Sequence, residues 1–168
     1  MRIAGNFMKK SEVYEYLNSR NIRFETTEHE PVFNMAEAAS VPLPYPDAEA
    51  KNLFVRDGKK NYYLLVVKGN KRVNLKKFRR ENGIGALSFA SEQELTAVLG
   101  LTPGSVTPLG ILNDTEHKVQ CFIDKEFTED AGLIGVHPND NTATVWLKTR
   151  DLIDLIKENG NAVHTAEF

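Results

Sequence analysis

Lys51-Asn-Leu-Phe-Val-Arg56, Asp57-Gly-Lys-Lys60 and Asn61-Tyr-Tyr-Leu-Leu-Val-Val67 form the stretch on which the fold turns. Two runs rich in apolar, β-branched and aromatic residues flank a short polar segment containing Asp57 and Gly58, the pattern of a β-hairpin. The second run is apolar almost without a break, which predicts a strand buried on both faces. Downstream, Asn74 caps a basic helix that runs to about Asn82 and stops at Gly83. Residues 86–89 read as a short strand. Ser91-Glu-Gln-Glu94 is a capping box opening a helix that closes at Gly100. Residues 102–110 form a loop set by two prolines and two glycines. Residues 119–124, 133–136 and 142–147 read as strands. Thr149 caps a last helix with Leu152, Ile153, Leu155 and Ile156 on its apolar face, ended by Gly160. Upstream, residues 11–20 read as a helix with Ser11 as N-cap, and residues 23–28 as a strand. Asn34-Met-Ala-Glu37 is a capping-box-like start to a short helix. The alternate prolines of Val41-Pro-Leu-Pro-Tyr-Pro46 end it in an extended loop. Helical and strand patterns interleave without repeats, so the expected fold is one α+β (mixed α/β) domain.

The 168 residues suit one domain. No apolar run approaches the length of a membrane span, and residues 1–10 lack a signal-peptide core. The single cysteine, Cys121, excludes an internal disulfide and a multi-cysteine zinc site. These features point to a reducing, cytoplasmic setting. The net charge of -2 conceals an asymmetry. Between Lys51 and Asn82, 11 lysines and arginines face only Asp57 and Glu81, and the rest of the chain is correspondingly acidic. One basic segment on an otherwise acidic chain fits a single face that meets a polyanion, RNA in particular. The plain alternative is a solvated surface paired with acids elsewhere.

Walker loops, Gly-x-Gly-x-x-Gly, His-Glu-x-x-His and Gly-x-Ser-x-Gly are absent from the sequence. The histidines, His29, His117, His137 and His164, are scattered and give no local metal motif. Cys121 falls within an expected strand, as a small core residue would. Three features can carry chemistry. Lys51 opens a strand and is placed either to hold a phosphate or carboxylate in a cleft or simply at the surface. Gly104-Ser-Val-Thr-Pro108 offers backbone N–H groups to an oxyanion, or is a turn after a helix. His137, held by Pro138 at a strand end, faces either a pocket or a surface turn.

Taken in this order, the features resemble the YbaK/ProX family of aminoacyl-tRNA deacylases, which includes the editing domain of bacterial prolyl-tRNA synthetases. The resemblance runs from about Ser11 to Asn159. It rests on Lys51-Asn-Leu-Phe54, Leu75-Lys-Lys-Phe78, Gly100-Leu-Thr-Pro-Gly-Ser-Val-Thr-Pro-Leu-Gly110 and His137-Pro-Asn-Asp-Asn-Thr142. The last block and Pro42-Leu-Pro44 look most like the ProX branch, with the cysteinyl-tRNA deacylases as near relatives. The resemblance implies a curved, barrel-like mixed β-sheet flanked by helices, comprising residues 8–168, with 1–7 as a short extension. It implies a metal-independent, cofactor-free hydrolase of mischarged tRNA, most of all alanine on proline tRNA, with prolyl-tRNA synthetase as a possible partner and neither DNA nor membrane involved.

The same resemblance carries residues over. Lys51 becomes a cation that touches phosphate or orients substrate. The loop of Gly104, Ser105, Val106, Thr107 and Pro108 becomes the carbonyl and water site. His137 becomes a pocket wall, with Asn52, Asn141 and Thr142 as weaker substrate contacts. Lys68, Lys71, Arg72, Lys76, Lys77, Arg79 and Arg80 are the expected contacts to the tRNA backbone. The alternatives are a deacylase for cysteinyl- or another small aminoacyl-tRNA, and a non-catalytic RNA-binding module of the same fold.

Overall fold

In a computed structural model that describes residues 7–31 and 42–168, the hairpin forms where the sequence places it. Strands β2 (Ala50–Arg56) and β3 (Tyr62–Lys68) pair antiparallel, with Ala50 opposite Lys68 and Arg56 opposite Tyr62. The turn is held by Asp57, whose Oδ1 accepts the N–H groups of Lys59 and Asn61 at 2.9 Å and whose Oδ2 accepts from the Asn61 amide. Strand β3 is buried from Tyr62 to Val67. Its even residues, Tyr62, Leu64 and Val66, enter the main core. Its odd ones, Tyr63, Leu65 and Val67, enter a smaller cluster beneath the basic helix.

The remaining strands are β1 (Phe24–Glu28), β4 (Ser88–Phe89), β5 (Val119–Asp124), β6 (Leu133–Val136), β7 (Ala143–Lys148) and β8 (Val163–Ala166). Among the described residues, five of the eight strands form a mixed sheet in the order β4-β2-β3-β5-β8, with β3-β5 and β5-β8 parallel. The other three form an antiparallel sheet, β1-β7-β6. A bridge from Glu49 to Gly135 joins the two sheets at the start of β2. Helices α1 (Lys10–Ser19), α3 (Glu92–Leu99) and α4 (Thr149–Asn159) contribute Val13, Leu17, Leu95, Leu99, Leu152 and Ile156 to the main core, while α2 (Leu75–Glu81) lays Phe78 on the opposite face of the large sheet. This is the mixed α+β architecture expected, built as two bridged sheets.

Several local expectations are corrected. Helix α1 begins one residue early, at Lys10; Ser11 lies inside it, and the Glu12 carboxylate receives the Lys9 N–H at 3.2 Å. Thr149 is the first residue of α4 and not its cap, because its hydroxyl donates to the Phe127 carbonyl at 2.7 Å. The strand expected at 86–89 shortens to two residues, since only Val55 and Arg56 of β2 offer it partners. Residues 108–113, the end of the expected loop included, wind into a fully buried 3-10 turn capped by Thr107. Strand β8 has no strong alternation in the sequence and is recruited by parallel pairing to β5. Phe7, assigned to the extension, lays its ring on Gly100. The expected capping box at 34–37 lies outside the described residues.

The capping box at Ser91 forms as read, and it concentrates charge. Glu94 accepts from the Ser91 N–H at 3.0 Å, the Tyr62 hydroxyl at 2.7 Å and the Arg56 guanidinium at 3.1 Å. The Ser91 N–H first, then the Tyr62 hydroxyl, holds this carboxyl down at about 2. A depressed carboxyl stabilises the fold fully above its unfolded value and loses that contribution as pH falls through the native one. Thermal melts of the wild type should therefore lose more stability between about pH 4.5 and 2 than melts of Glu94→Gln. Parallel curves for the two proteins would remove Glu94 from the acid response.

Candidate active site

The bridge between the sheets makes a seam, and the residues with chemistry gather along it. Gly135 permits the close approach: an added Cβ would lie 2.2 Å from the buried Trp146 ring, so only a glycine lets β6 pack down here. Beyond Gly135, His137 leaves the strand. Its Nδ1 donates to the Ala143 carbonyl at 3.0 Å, which leaves Nε2 as an acceptor in the neutral ring. Burial lowers the His137 pKa below the ordinary histidine value, and the neighbouring His29 ring adds to the effect against the opposing Ala143 bond and Asp140 charge. His137 is therefore neutral at pH 7.

The Gly104–Pro108 loop packs against this histidine. The Thr107 hydroxyl, fully buried, donates to the His137 carbonyl at 2.6 Å. Gly104 sits at φ +89°, a conformation that L side chains rarely adopt, 3.7 Å from where the Asn141 amide would meet a Cβ. The Ser105 N–H is held by the Thr102 carbonyl, and Pro108 has none. Among the described residues, nothing accepts from the N–H groups of Gly104, Val106 and Thr107. The free N–H groups of Gly104 and Val106, on a loop turned by a left-handed glycine beside a neutral histidine, are suited to stabilising a developing oxyanion. The 137–142 segment is braced in turn. Asp140 accepts from Thr142, the Thr142 hydroxyl receives the Lys10 ammonium at 2.9 Å, and Asn139 donates to the Met8 carbonyl at 3.0 Å.

Lys51 and Asn52 point to opposite faces of β2, as successive strand residues must. Asn52 shares the main-core face with Phe54, and lines a small cavity with Glu49, Gly135, His137 and Thr144. Lys51 shares the other face with Leu53 and Val55, and its ammonium donates to the Lys71 carbonyl. It lines an open cleft of about 720 Å³ with Asp47, Glu49, Lys68, Lys71 and Glu126. The sequence thus assigns to one site two compartments that share the wall Glu49–Ala50.

The basic segment divides as well. Lys71 is ion-paired with Asp124 at 3.0 Å and with Glu126, while Lys68 donates to the Asp47 carbonyl at 2.6 Å above the Phe127 ring. Arg72, Lys76, Lys77 and Arg80 are exposed and Arg79 half-exposed; Lys77 lies 3.9 Å from Glu81. Among the described residues, no carboxylate pairs with Arg72, Lys76, Arg79 or Arg80. Two of the scattered histidines converge, His29 and His137, with ring centroids 6.2 Å apart; His29 also meets the Thr144 hydroxyl at 3.1 Å. The sequence reading missed Glu49, His29 and Thr144. Nothing local marks them, because the seam that joins them connects segments about 20 to 115 residues apart.

A profile of the aminoacyl-tRNA editing domain matches residues 29–155, which contain every one of these groups except the bracing N-terminal turn. The chain belongs to the aminoacyl-tRNA editing family. Editing domains of this family are hydrolases that cleave an aminoacyl ester from tRNA. The prolyl-tRNA editing protein ProX of Acetoanaerobium sticklandii is 38% identical over 160 residues, covering 95% of this chain and 97% of that protein. Prolyl-tRNA synthetase associated domain-containing protein 1 of Mus musculus is 31% identical, covering 95% of each chain. A solved structure described as a candidate trans-editing enzyme for prolyl-tRNA synthetase superposes with a TM-score of 0.71 over 94% of each chain at 22% identity, which shows that the editing fold is shared. Among the described residues, no helix is long and apolar enough to cross a membrane.

Proposed function

We propose that this protein deacylates alanine misattached to proline tRNA, acting in trans beside prolyl-tRNA synthetase. The observation that carries the reading is the contact between the Thr107 hydroxyl and the His137 carbonyl, which packs the loop bearing the free Gly104 and Val106 N–H groups against a neutral histidine. The likeness to ProX along nearly its whole length supports the prolyl assignment. An aminoacyl ester is already activated, so a positioned water and a stabilised oxyanion suffice. Each oxyanion donor contributes about 2.7–4 kcal/mol in comparable sites. Water adds to the ester carbonyl, whose oxygen takes up charge against the N–H groups of Gly104 and Val106. The adduct then collapses, the ester C–O bond breaks, and the ribose oxygen leaves with the proton that the water lost. The vicinal ribose hydroxyl orients the water, Lys51 and the open cleft receive the terminal phosphate, and Asn52, His137, Asn141 and Thr142 bound the amino acid. Alanine enters the pocket and the proline ring does not. A panel of labelled aminoacyl-tRNAs tests this: alanyl-tRNA(Pro) should be hydrolysed fastest. Preference for cysteinyl-tRNA would move the substrate, and binding without hydrolysis would leave an RNA-binding module.

A histidine that shapes the pocket while neutral should give no inflection in kcat/KM near the ordinary histidine value of about 6.5, with any loss setting in at lower pH. His137→Ala should keep alanyl activity and gain hydrolysis of prolyl-tRNA. Collapse of alanyl hydrolysis, with a steep wild-type profile near neutrality, would instead make His137 a proton carrier.

The free cations of α2 and its flanks are the proposed tRNA contacts. Replacing Lys76, Lys77, Arg79 and Arg80 by alanine should weaken binding and flatten the slope of log affinity against log salt by about 0.7–0.9 for each phosphate no longer neutralised. Hydrolysis of a saturating aminoacyl-minihelix should change little. An unchanged salt slope in a folded quadruple variant would place the RNA elsewhere, with Arg72, Lys68 and Lys71 next to test.

A further inference from the structure

Three side chains that line the small cavity at the seam, Glu49, Asn52 and His137, carry acceptors that lack donors among the described residues. The Asn52 Oδ1 is enclosed, and among the described residues no hydrogen-bond donor reaches it. The Glu49 carboxylate is half-buried, with no hydrogen bond or ion pair to any described side chain. The His137 Nε2 remains an acceptor because Nδ1 serves Ala143. An enclosed acceptor without a partner is costly, and a carboxylate drawn out of water more so. A ligand that belongs here must bring N–H donors, and preferably positive charge.

The cavity holds about 10 Å³, room for one water-sized group. An ammonium fits that volume. A methyl group also fits, but it would leave Asn52 unpaired and press an apolar surface against a carboxylate. Glu49 lines both this cavity and the open cleft. Desolvation raises the Glu49 pKa, and the neighbouring charge that opposes the rise is His29, which contacts Thr144 on the cavity side. The carboxylate therefore lies within electrostatic reach of His29.

We infer that Glu49 and Asn52 form a subsite for the α-ammonium group of the aminoacyl ester, so that the protein selects substrates with a free amine and rejects N-acylated ones. The inference rests on the deacylase reading and deepens it: Glu49 is a specificity residue, separate from the loop that stabilises the oxyanion. It also explains why a pocket for so small a side chain carries a carboxylate at all.

The test compares alanyl-tRNA with N-acetylalanyl-tRNA, for the wild type and for Glu49→Gln, alongside binding of amide-linked 3′-alanylamino-adenosine with its amine free or acetylated. The wild type should favour the free amine by about 10- to 100-fold in kcat/KM and in affinity. Glu49→Gln should lose most of that preference while its rate on the acetylated substrate stays unchanged, a pattern that a merely structural role would not give. Equal wild-type hydrolysis of both substrates would overturn the subsite and leave the deacylase reading intact. Preferential binding of the free-amine analogue without hydrolysis of any ester would do the reverse. Failure to bind either analogue would overturn the subsite, as would an equal loss on both substrates in Glu49→Gln.

Discussion

Gly104→Ala should lower the deacylation rate by about 10²–10³ while the protein stays folded. The residue sits at φ +89°, where a Cβ costs about 1–3 kcal/mol. The site is exposed and its nearest neighbour would be 3.7 Å away, so nothing but backbone strain resists the change. Rotation of the loop would relieve that strain and carry the free N–H groups of Gly104 and Val106 off the carbonyl they are proposed to meet. Gly83→Ala is the matched control. It has φ +65° and open space around it, and it closes α2 on the opposite face of the large sheet. Both variants should lose similar stability in thermal melts, and only Gly104→Ala should lose single-turnover rate. A Gly104→Ala protein that retains the wild-type rate would move the oxyanion site out of this loop.

Asp124→Ala should destabilise the fold by about 3–5 kcal/mol, the cost of breaking a buried charge pair from one side. The carboxylate is fully buried. It accepts the Lys68 N–H and the Glu126 N–H, each at 3.1 Å, as well as the Lys71 ammonium. Burial alone would lower the Lys71 pKa, yet its bonds to Glu126 and Asp124 together raise it, so the ammonium is held as a cation. Removing Asp124 strands two backbone donors and that charge at the wall of the open cleft. Urea denaturation of Asp124→Ala, Lys71→Met and the double variant reads the coupling. The double variant should recover part of the loss. A single-variant effect below about 1 kcal/mol would mean that the pair is solvated and that the cleft wall is held by other interactions.

What was legible in the sequence was whatever depends on neighbours along the chain. The hairpin turn at Asp57, the Ser91 capping box and the left-handed glycine at 100 are local chemistry, and they formed where read. Ser11 was misjudged as a cap because the helix starts earlier, from Lys9, and Thr149 because its hydroxyl is taken by a carbonyl 22 residues away. Strand β8 was invisible because an edge strand paired in parallel needs little hydrophobic alternation of its own. At the candidate site, the loop and His137 were legible as unusual backbone signals. Their contact, and the gathering of Glu49, His29 and Thr144 at the seam, depend on how two sheets meet. The parity of Lys51 and Asn52 follows from the strand period, but which face met which compartment was fixed by the placement of α2.

The bracing of residues 137–142 by the first described turn has a consequence for how the protein is made. Met8 meets Asn139 across 131 positions, and Lys10 meets Thr142 across 132. Residues that leave the ribosome early thus wait for more than a hundred others before they find their partners. At about 5–20 residues per second, the interval is several seconds to half a minute. Throughout it, the hairpin and the capped helices can form while the pocket wall has nothing to lean on. A nascent chain halted before residue 139 would carry most of the large sheet and no finished pocket, so hydrolytic competence arrives well after the hairpin that founds the fold.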